Sequence, residues 1–152
     1  MKQALCLATA MALHLGIAES ASAGTEPLVA RDMLEVTALA LKGDRAKALE
    51  MLSKGNMLFR QGDVFVYCID GRGRVLAHAL PELVGRDFST LSDKTGKEFG
   101  AYMLINSREG QLGFTGYYLP KPGGFKEVYR EDYFTRVGDL TCGAGYYTTK
   151  TE

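Results

Sequence analysis

Asp63-Val64-Phe65-Val66-Tyr67-Cys68-Ile69-Asp70-Gly71-Arg72-Gly73-Arg74-Val75-Leu76-Ala77-His78 is the stretch that decides the fold class. From Val64 to Ile69 it is a run of β-branched and aromatic residues with no polar break, the pattern of a strand buried on both faces. Asp70-Gly71-Arg72-Gly73 then groups turn residues at the spacing of a tight reversal. Residues 74–79 return as a second strand, so the pair reads as a hairpin.

Working outward, the aromatic residues mark the extent of the sheet. All 7 Phe and all 8 Tyr lie between Phe59 and Tyr147. Residues 24–56 hold none and are rich in Ala, Leu, Met, Glu and Lys. Aromatics favour pleated surfaces and the second group favours helix. The spacing therefore predicts a helical segment over 24–56, leading into a sheet domain over 57–152. Thr25 suits an N-cap, and Pro27 sits in the first turn, where a missing N–H costs little. Val29, Met33, Val36 and Ala40 recur at helical spacing, and Leu34, Ala38 and Leu41 widen the stripe. Core packing is the reading of these residues, not a cofactor role. Gly43 ends the first helix and Asp44 caps a second over 45–53, which stops at Gly55-Asn56.

Downstream of the hairpin, residues 81–95 are polar and irregular. Residues 97–106 predict a third helix, with Phe99, Tyr102, Met103 and Ile105 facing inward. Strands follow over 112–118, 125–137 and 140–147, with Pro120-Lys121-Pro122-Gly123-Gly124 as a hairpin loop. The whole is an α+β domain with a five-stranded antiparallel sheet and N-terminal helices.

Residues 1–23 stand apart from this domain. Met1-Lys2 is a short basic start, 4–18 is apolar, and Ala21-Ser22-Ala23 offers a small-residue cleavage site, together a secretory signal peptide. The apolar run is short for a span of about 20 residues. The expected product begins at Gly24, is periplasmic or secreted, and has no further stretch apolar enough to span a membrane. With Lys+Arg 18 and Asp+Glu 18, the chain lacks the basic excess on which nucleic-acid binding rests.

Signals for metal, cofactor or nucleophile chemistry are weak. Past residue 23 the chain keeps His78, Cys68 and Cys142, with no Cys-x-x-Cys or His-x-x-x-His spacing. A catalytic thiol would have to be Cys68 or Cys142, both set among apolar neighbours as structural cysteines are. Gly71-Arg72-Gly73 and Gly143-Ala144-Gly145 lack the third glycine and following helix of a phosphate loop. The first reads as a turn and the second as close strand packing. More informative are Arg86, Arg130, Tyr117, Tyr118 and Tyr133. A guanidinium grips two carboxylate oxygens at once, and hydroxyls with an imidazole orient the rest. By spacing alone, ordinary surface charge is the simpler reading of the arginines.

Several stretches in order resemble the single Cache domain, a PAS-like extracytoplasmic sensor family. Residues 63–78 look like its strand, Asp-x-x-Gly turn and Val-Leu-Ala-His return. Leu83-Val84-Gly85-Arg86-Asp87, Asp93-Lys94-Thr95-Gly96-Lys97 with Phe99, and Gly113-Phe114-Thr115-Gly116-Tyr117-Tyr118-Leu119-Pro120 are similar to its succeeding segments. So are Arg130-Glu131-Asp132-Tyr133-Phe134 and residues 139–147. The chain departs from the family pattern at Arg130, where Lys is usual, and at Phe114 and Leu119, where Trp is usual.

The resemblance implies a PAS-like sheet and a non-enzymatic binding module for a small organic acid, held between the sheet and the connecting segments. It implies a sensor portion alone, without its own output domain. The residues expected at the ligand are Arg130 as carboxylate clamp and Tyr117 as hydroxyl donor, with His78 and Arg86 at the rim. No cofactor is expected. A membrane sensor or receptor is the implied partner. The alternative is a ligand-free interaction subunit that docks on such a sensor through residues 27–53. In the PAS-like order, Cys68 and Cys142 fall on neighbouring antiparallel strands. A disulfide is thus topologically open to them, and so are two buried free thiols.

Overall fold

A computed structural model describes residues 25–148; the signal-peptide expectation for 1–23 lies outside them. The chain begins with α1 (Glu26–Gly43) and α2 (Arg45–Ser53). Asp44 separates them in extended conformation, and its carboxylate accepts from the Lys47 N–H at 3.1 Å, which caps α2. Strands β1 (Arg60–Gln61), β2 (Val64–Ile69) and β3 (Val75–His78) follow, then α3 (Phe99–Asn106), β4 (Gly113–Pro120), β5 (Glu127–Val137) and β6 (Leu140–Tyr147). The sheet runs β1-β2-β6-β5-β4, with β3 also paired to β2. All its strand pairings are antiparallel. It holds the five expected strands and a sixth, the two-residue β1, which pairs Arg60 with Phe65 and Gln61 with Val64.

Strand alternation divides the molecule into two cores. Val64, Val66 and Cys68 of β2 join Leu140, Cys142 and Ala144 of β6 under α1 and α2. The helices meet them with Ala30, Met33, Leu34, Leu41, Ala48 and Leu52. Val36, predicted inward, is 37% exposed, because the buried stripe runs through Ala30, Met33, Leu34, Thr37 and Leu41 instead. Phe65, Tyr67 and Ile69 point to the opposite face and pack with Phe88, Phe99, Met103, Tyr117 and Phe134.

The central strands are also joined covalently. Cys68 pairs with Cys142 in register, and the two sulfurs form a disulfide with Cα atoms 4.1 Å apart.

One irregularity places a side chain in the second core. Cys68 pairs with Ala77 and Ile69 with Val75, so Leu76 is an extra residue in β3. This bulge sends Ala77 to the helix-covered core and Val75 to the other. It also leaves His78, opposite Tyr67, on the aromatic side.

Over that second face lie the 79–98 segment and α3. Asp93 organises the segment: one carboxylate oxygen accepts from Thr95 N–H, Thr95 Oγ1 and Lys97 N–H, and the other from Tyr118 N–H. Gly100 of α3 abuts the Phe88 backbone with no room for a Cβ. This approach turns Phe99, Gly100 and Met103 inward and leaves Tyr102 43% and Ile105 69% exposed, contrary to the inward positions predicted for both.

Candidate functional site

Between the aromatic face of the sheet and the overlying segment is a cavity of about 640 Å³. Arg130, Tyr117, His78 and Arg86, the four residues singled out in the sequence, all line it. They differ in depth. Arg130 is 1% and Tyr117 2% exposed, His78 is buried, and Arg86 is exposed at the mouth.

Register brings Arg130 to the floor. It lies in the interior of β5, paired with Tyr117 of β4 on one side and Tyr147 of β6 on the other. Its guanidinium sits 4.3 Å from the Phe65 ring centroid and 5.1 Å from that of Tyr147. Such cation–π contacts hold the planar group flat against the aromatic wall. Two residues on, and so on the same strand face, is Asp132. Arg130 Nε lies 2.8 Å from Asp132 Oδ1, and both side chains are fully enclosed. Burial is the largest single influence and works against the Arg130 charge, but the Asp132 carboxylate together with the Tyr117, Tyr67 and Tyr147 oxygens outweighs it and holds the guanidinium pKa above its ordinary value.

Asp132 is the anchor of this arrangement, and sequence reasoning missed it. Its Oδ2 accepts from Tyr67 Oη at 2.6 Å and from Tyr117 Oη at 3.0 Å. Hydrogen bonds of this charged kind are worth about 1.5–3 kcal/mol each. Burial first, and then the Asp132 charge, hold both phenols well above their usual pKa, so they stay protonated donors. The Tyr117 hydroxyl, expected to donate to a ligand, therefore donates to Asp132. The signal that could have found Asp132 was local: two opposite charges at i and i+2 on a strand, facing a glycine across the ladder. That glycine is Gly145, in register with Asp132. A Cβ there would overlap the Asp132 carboxylate and approach Arg130 Nη2 to 2.7 Å. Gly143 likewise leaves space for the Tyr67 ring. The Gly-x-Gly of β6 is thus the close strand packing expected of it, and its clearance admits the buried ion pair.

Arg130 Nη1 and Nη2 are buried beside the Tyr117 and Tyr147 side chains and have no hydrogen-bond partner among the described residues. The two terminal N–H groups of a guanidinium match the two oxygens of a carboxylate. His78 adds a defined donor. Its Nδ1 accepts from the Leu80 N–H at 2.9 Å, which puts the proton of the neutral ring on Nε2. Burial, and then the Arg130 charge, lower its pKa to about 4, so the ring is neutral at physiological pH. The other polar groups nearby are engaged. Tyr147 Oη donates to the Pro120 carbonyl at 2.7 Å, and at the mouth Lys121 Nζ is 2.7 Å from Asp63. The exposed Asp87 and Thr90 also line the cavity, and the rest of the wall is largely apolar, with Phe65, Val75, Phe88, Leu91, Phe99 and Leu119 prominent. Among the described residues no group of His, Cys, Asp and Glu is placed to hold a metal ion.

Known proteins share this fold. The family model described as Single Cache domain 2 matches residues 32–137. A methyl-accepting chemotaxis protein from Vibrio parahaemolyticus RIMD 2210633 superposes with a TM-score of 0.65 at 21% identity, covering 80% of this chain and 87% of that one. The periplasmic sensor domain of a chemotaxis protein gives 0.63 at 26% identity, covering 81% and 92%. A Cache chemosensory domain, solved as the structural basis for carboxylic acid recognition, gives 0.58 at 23% identity, covering 82% and 91%. No curated protein matches the chain. Among the described residues no helix is long and apolar enough to cross a membrane.

Proposed function

This chain belongs to the single Cache domain 2 family, and from that premise we propose that it is an extracytoplasmic sensor domain that binds a small organic acid on Arg130. One observation carries the reading: Arg130 is a lining residue of the cavity, and the two terminal nitrogens of its buried guanidinium have no hydrogen-bond partner among the described residues. Burying such donors without partners is costly, and a carboxylate satisfies both at once. His78 Nε2–H is a further donor in the same cavity, and Arg86 stands at the entrance. Tyr117 acts one step back, by holding Asp132 and hence the guanidinium plane. A location outside the cytoplasm is supported by the leader pattern of residues 1–23 and by the Cys68–Cys142 bridge, which an oxidising compartment sustains. No reaction is assigned to the site, whose acid and base are already paired with each other.

The test is calorimetry and thermal shift with acetate, pyruvate, lactate and propionate and with the longer acids hexanoate and phenylacetate, since a ligand that binds only the folded state raises its melting temperature. Arg130→Ala alone would strand the Asp132 charge. The informative variant is therefore Arg130→Met combined with Asp132→Asn, with Arg130→Lys beside it. Loss of the bidentate contact should weaken binding at least about 150-fold, the lower end for two charge-assisted hydrogen bonds. Undiminished affinity in a double variant that still melts cooperatively would sink the assignment. The alternative of a docking subunit has Leu28 and Leu39 in its favour, 59% and 72% exposed on α1. It predicts that no acid stabilises the chain and that charged substitutions at these two positions abolish partner binding.

A further inference from the structure

Resting on the carboxylate reading, we infer that the ligand is a monocarboxylate with a bulky apolar body, of about phenyl or six- to eight-carbon size, and neither a two- or three-carbon acid nor an amino acid. The first ground is volume. At roughly 30 Å³ per non-hydrogen atom, the share a water takes in the liquid, acetate fills on the order of 120 Å³. The cavity offers about 640 Å³. A two-carbon acid on Arg130 would leave most of it to water against apolar walls. Phenylacetate, by the same measure, takes on the order of 300 Å³, nearly half of the cavity against about a fifth for acetate.

The second ground is the distribution of polar groups. The unpaired donors, Arg130 Nη1 and Nη2, lie together at the buried end. From there to the mouth most of the wall is apolar, with Phe65, Val75, Phe88, Leu91, Phe99 and Leu119, and His78 adds one neutral donor. Hydroxyls that might have met a polar substituent are turned away: Tyr67 and Tyr117 to Asp132, and Tyr147 to the Pro120 carbonyl. An α-ammonium beside the clamped carboxylate would need an anion at the buried floor. Asp132, the carboxylate there, is held by Arg130 and the two phenols, and Asp87 is exposed. An uncompensated charge in such surroundings is strongly disfavoured.

The experiment is a calorimetric series on the full chain: acetate, propionate, butyrate, hexanoate, octanoate, phenylacetate, 3-phenylpropionate and phenylalanine. Each added methylene should tighten binding about fourfold until the cavity is filled. Phenylalanine should bind at least about tenfold more weakly than 3-phenylpropionate, the same body without the ammonium. An affinity that peaks at acetate or propionate and declines for hexanoate and the phenyl acids overturns the inference and leaves the carboxylate reading standing. Phenylalanine binding as tightly as 3-phenylpropionate overturns the exclusion of amino acids. If no acid of the series binds, the reading of Arg130 as a carboxylate clamp fails, and this inference with it.

Discussion

Reducing the Cys68–Cys142 bridge should lower stability by an amount that follows from its position. The bridged residues are 74 apart in sequence. In the chain-entropy model, closing a loop of that length removes about 15 cal/mol/K from the unfolded ensemble, or about 4.4 kcal/mol at 25 °C. Domains of this size are stable by only about 5–15 kcal/mol in total. At about 2.1 cal/mol/K per residue, residues 24–152 unfold with about 0.27 kcal/mol/K, so Tm should fall by about 16 °C. The assay is urea unfolding of the same protein, oxidised and fully reduced, followed by circular dichroism. Reduction is preferable to a Cys→Ala pair, because both cysteines are fully buried and truncation would add a cavity cost. Without denaturant the oxidised chain should react with neither reductant nor alkylating reagent until it opens, since both sulfurs lie between α1, α2 and the sheet. Coincident unfolding midpoints with and without reductant would refute the reasoning. So would two alkylated cysteines in the untreated native protein.

Other consequences are equally direct. Gly145→Ala should cost about 3–5 kcal/mol, because its methyl group displaces Asp132 and separates the buried ion pair; a denaturation midpoint equal to that of the parent chain would show that the pair can shift at little cost. His78 titrates at about 4 when folded against an ordinary 6.5. Between those values the unfolded chain takes up a proton that the folded chain refuses, so stability rises with pH across the window and is lost as pH falls through it, by up to about 3 kcal/mol. In His78→Asn, which keeps an acceptor for the Leu80 N–H, that slope should flatten, as pH-dependent urea melts would reveal. Asp93→Ala should leave the Tyr118 N–H and the 95–97 turn without their acceptor. The expected cost is about 2–3 kcal/mol, with faster amide exchange in 93–98 than in β2 as the local signature.

Legibility in the sequence followed from how local the determining physics was. The bounds of α2, β2 and β6 could be read because Asp44 caps, Asp70 turns and the apolar runs end where the strands do. β1 was not legible, since two exposed polar residues become a strand only by pairing with β2. Val36, Tyr102 and Ile105 were assigned to buried faces by periodicity, which gives the width of an apolar stripe but not its orientation against a neighbour. The four site residues were legible by type, but their depth was not. Arg86 and Arg130 look alike in sequence. Only the cross-strand register with Tyr117 and Tyr147 puts one on the cavity floor, and the open loop leaves the other at its edge. Asp132 and Tyr67 escaped notice because their importance lies in each other, 65 residues apart in the chain.

The neutral pairing of Arg130 with Asp132 bears on how fast a ligand arrives. The guanidinium charge is cancelled within the floor of the site, Lys121 is cancelled by Asp63 at the mouth, Arg86 there is followed by the exposed Asp87, and the chain as a whole carries no net charge. Little field extends into solution to draw an anion in. An acid should therefore associate at the rate of an unsteered encounter and hardly respond to ionic strength, in contrast to receptors that gather anions through a basic funnel. Discrimination between acids would then reside in their rates of departure, with longer residence for those that fill more of the apolar wall.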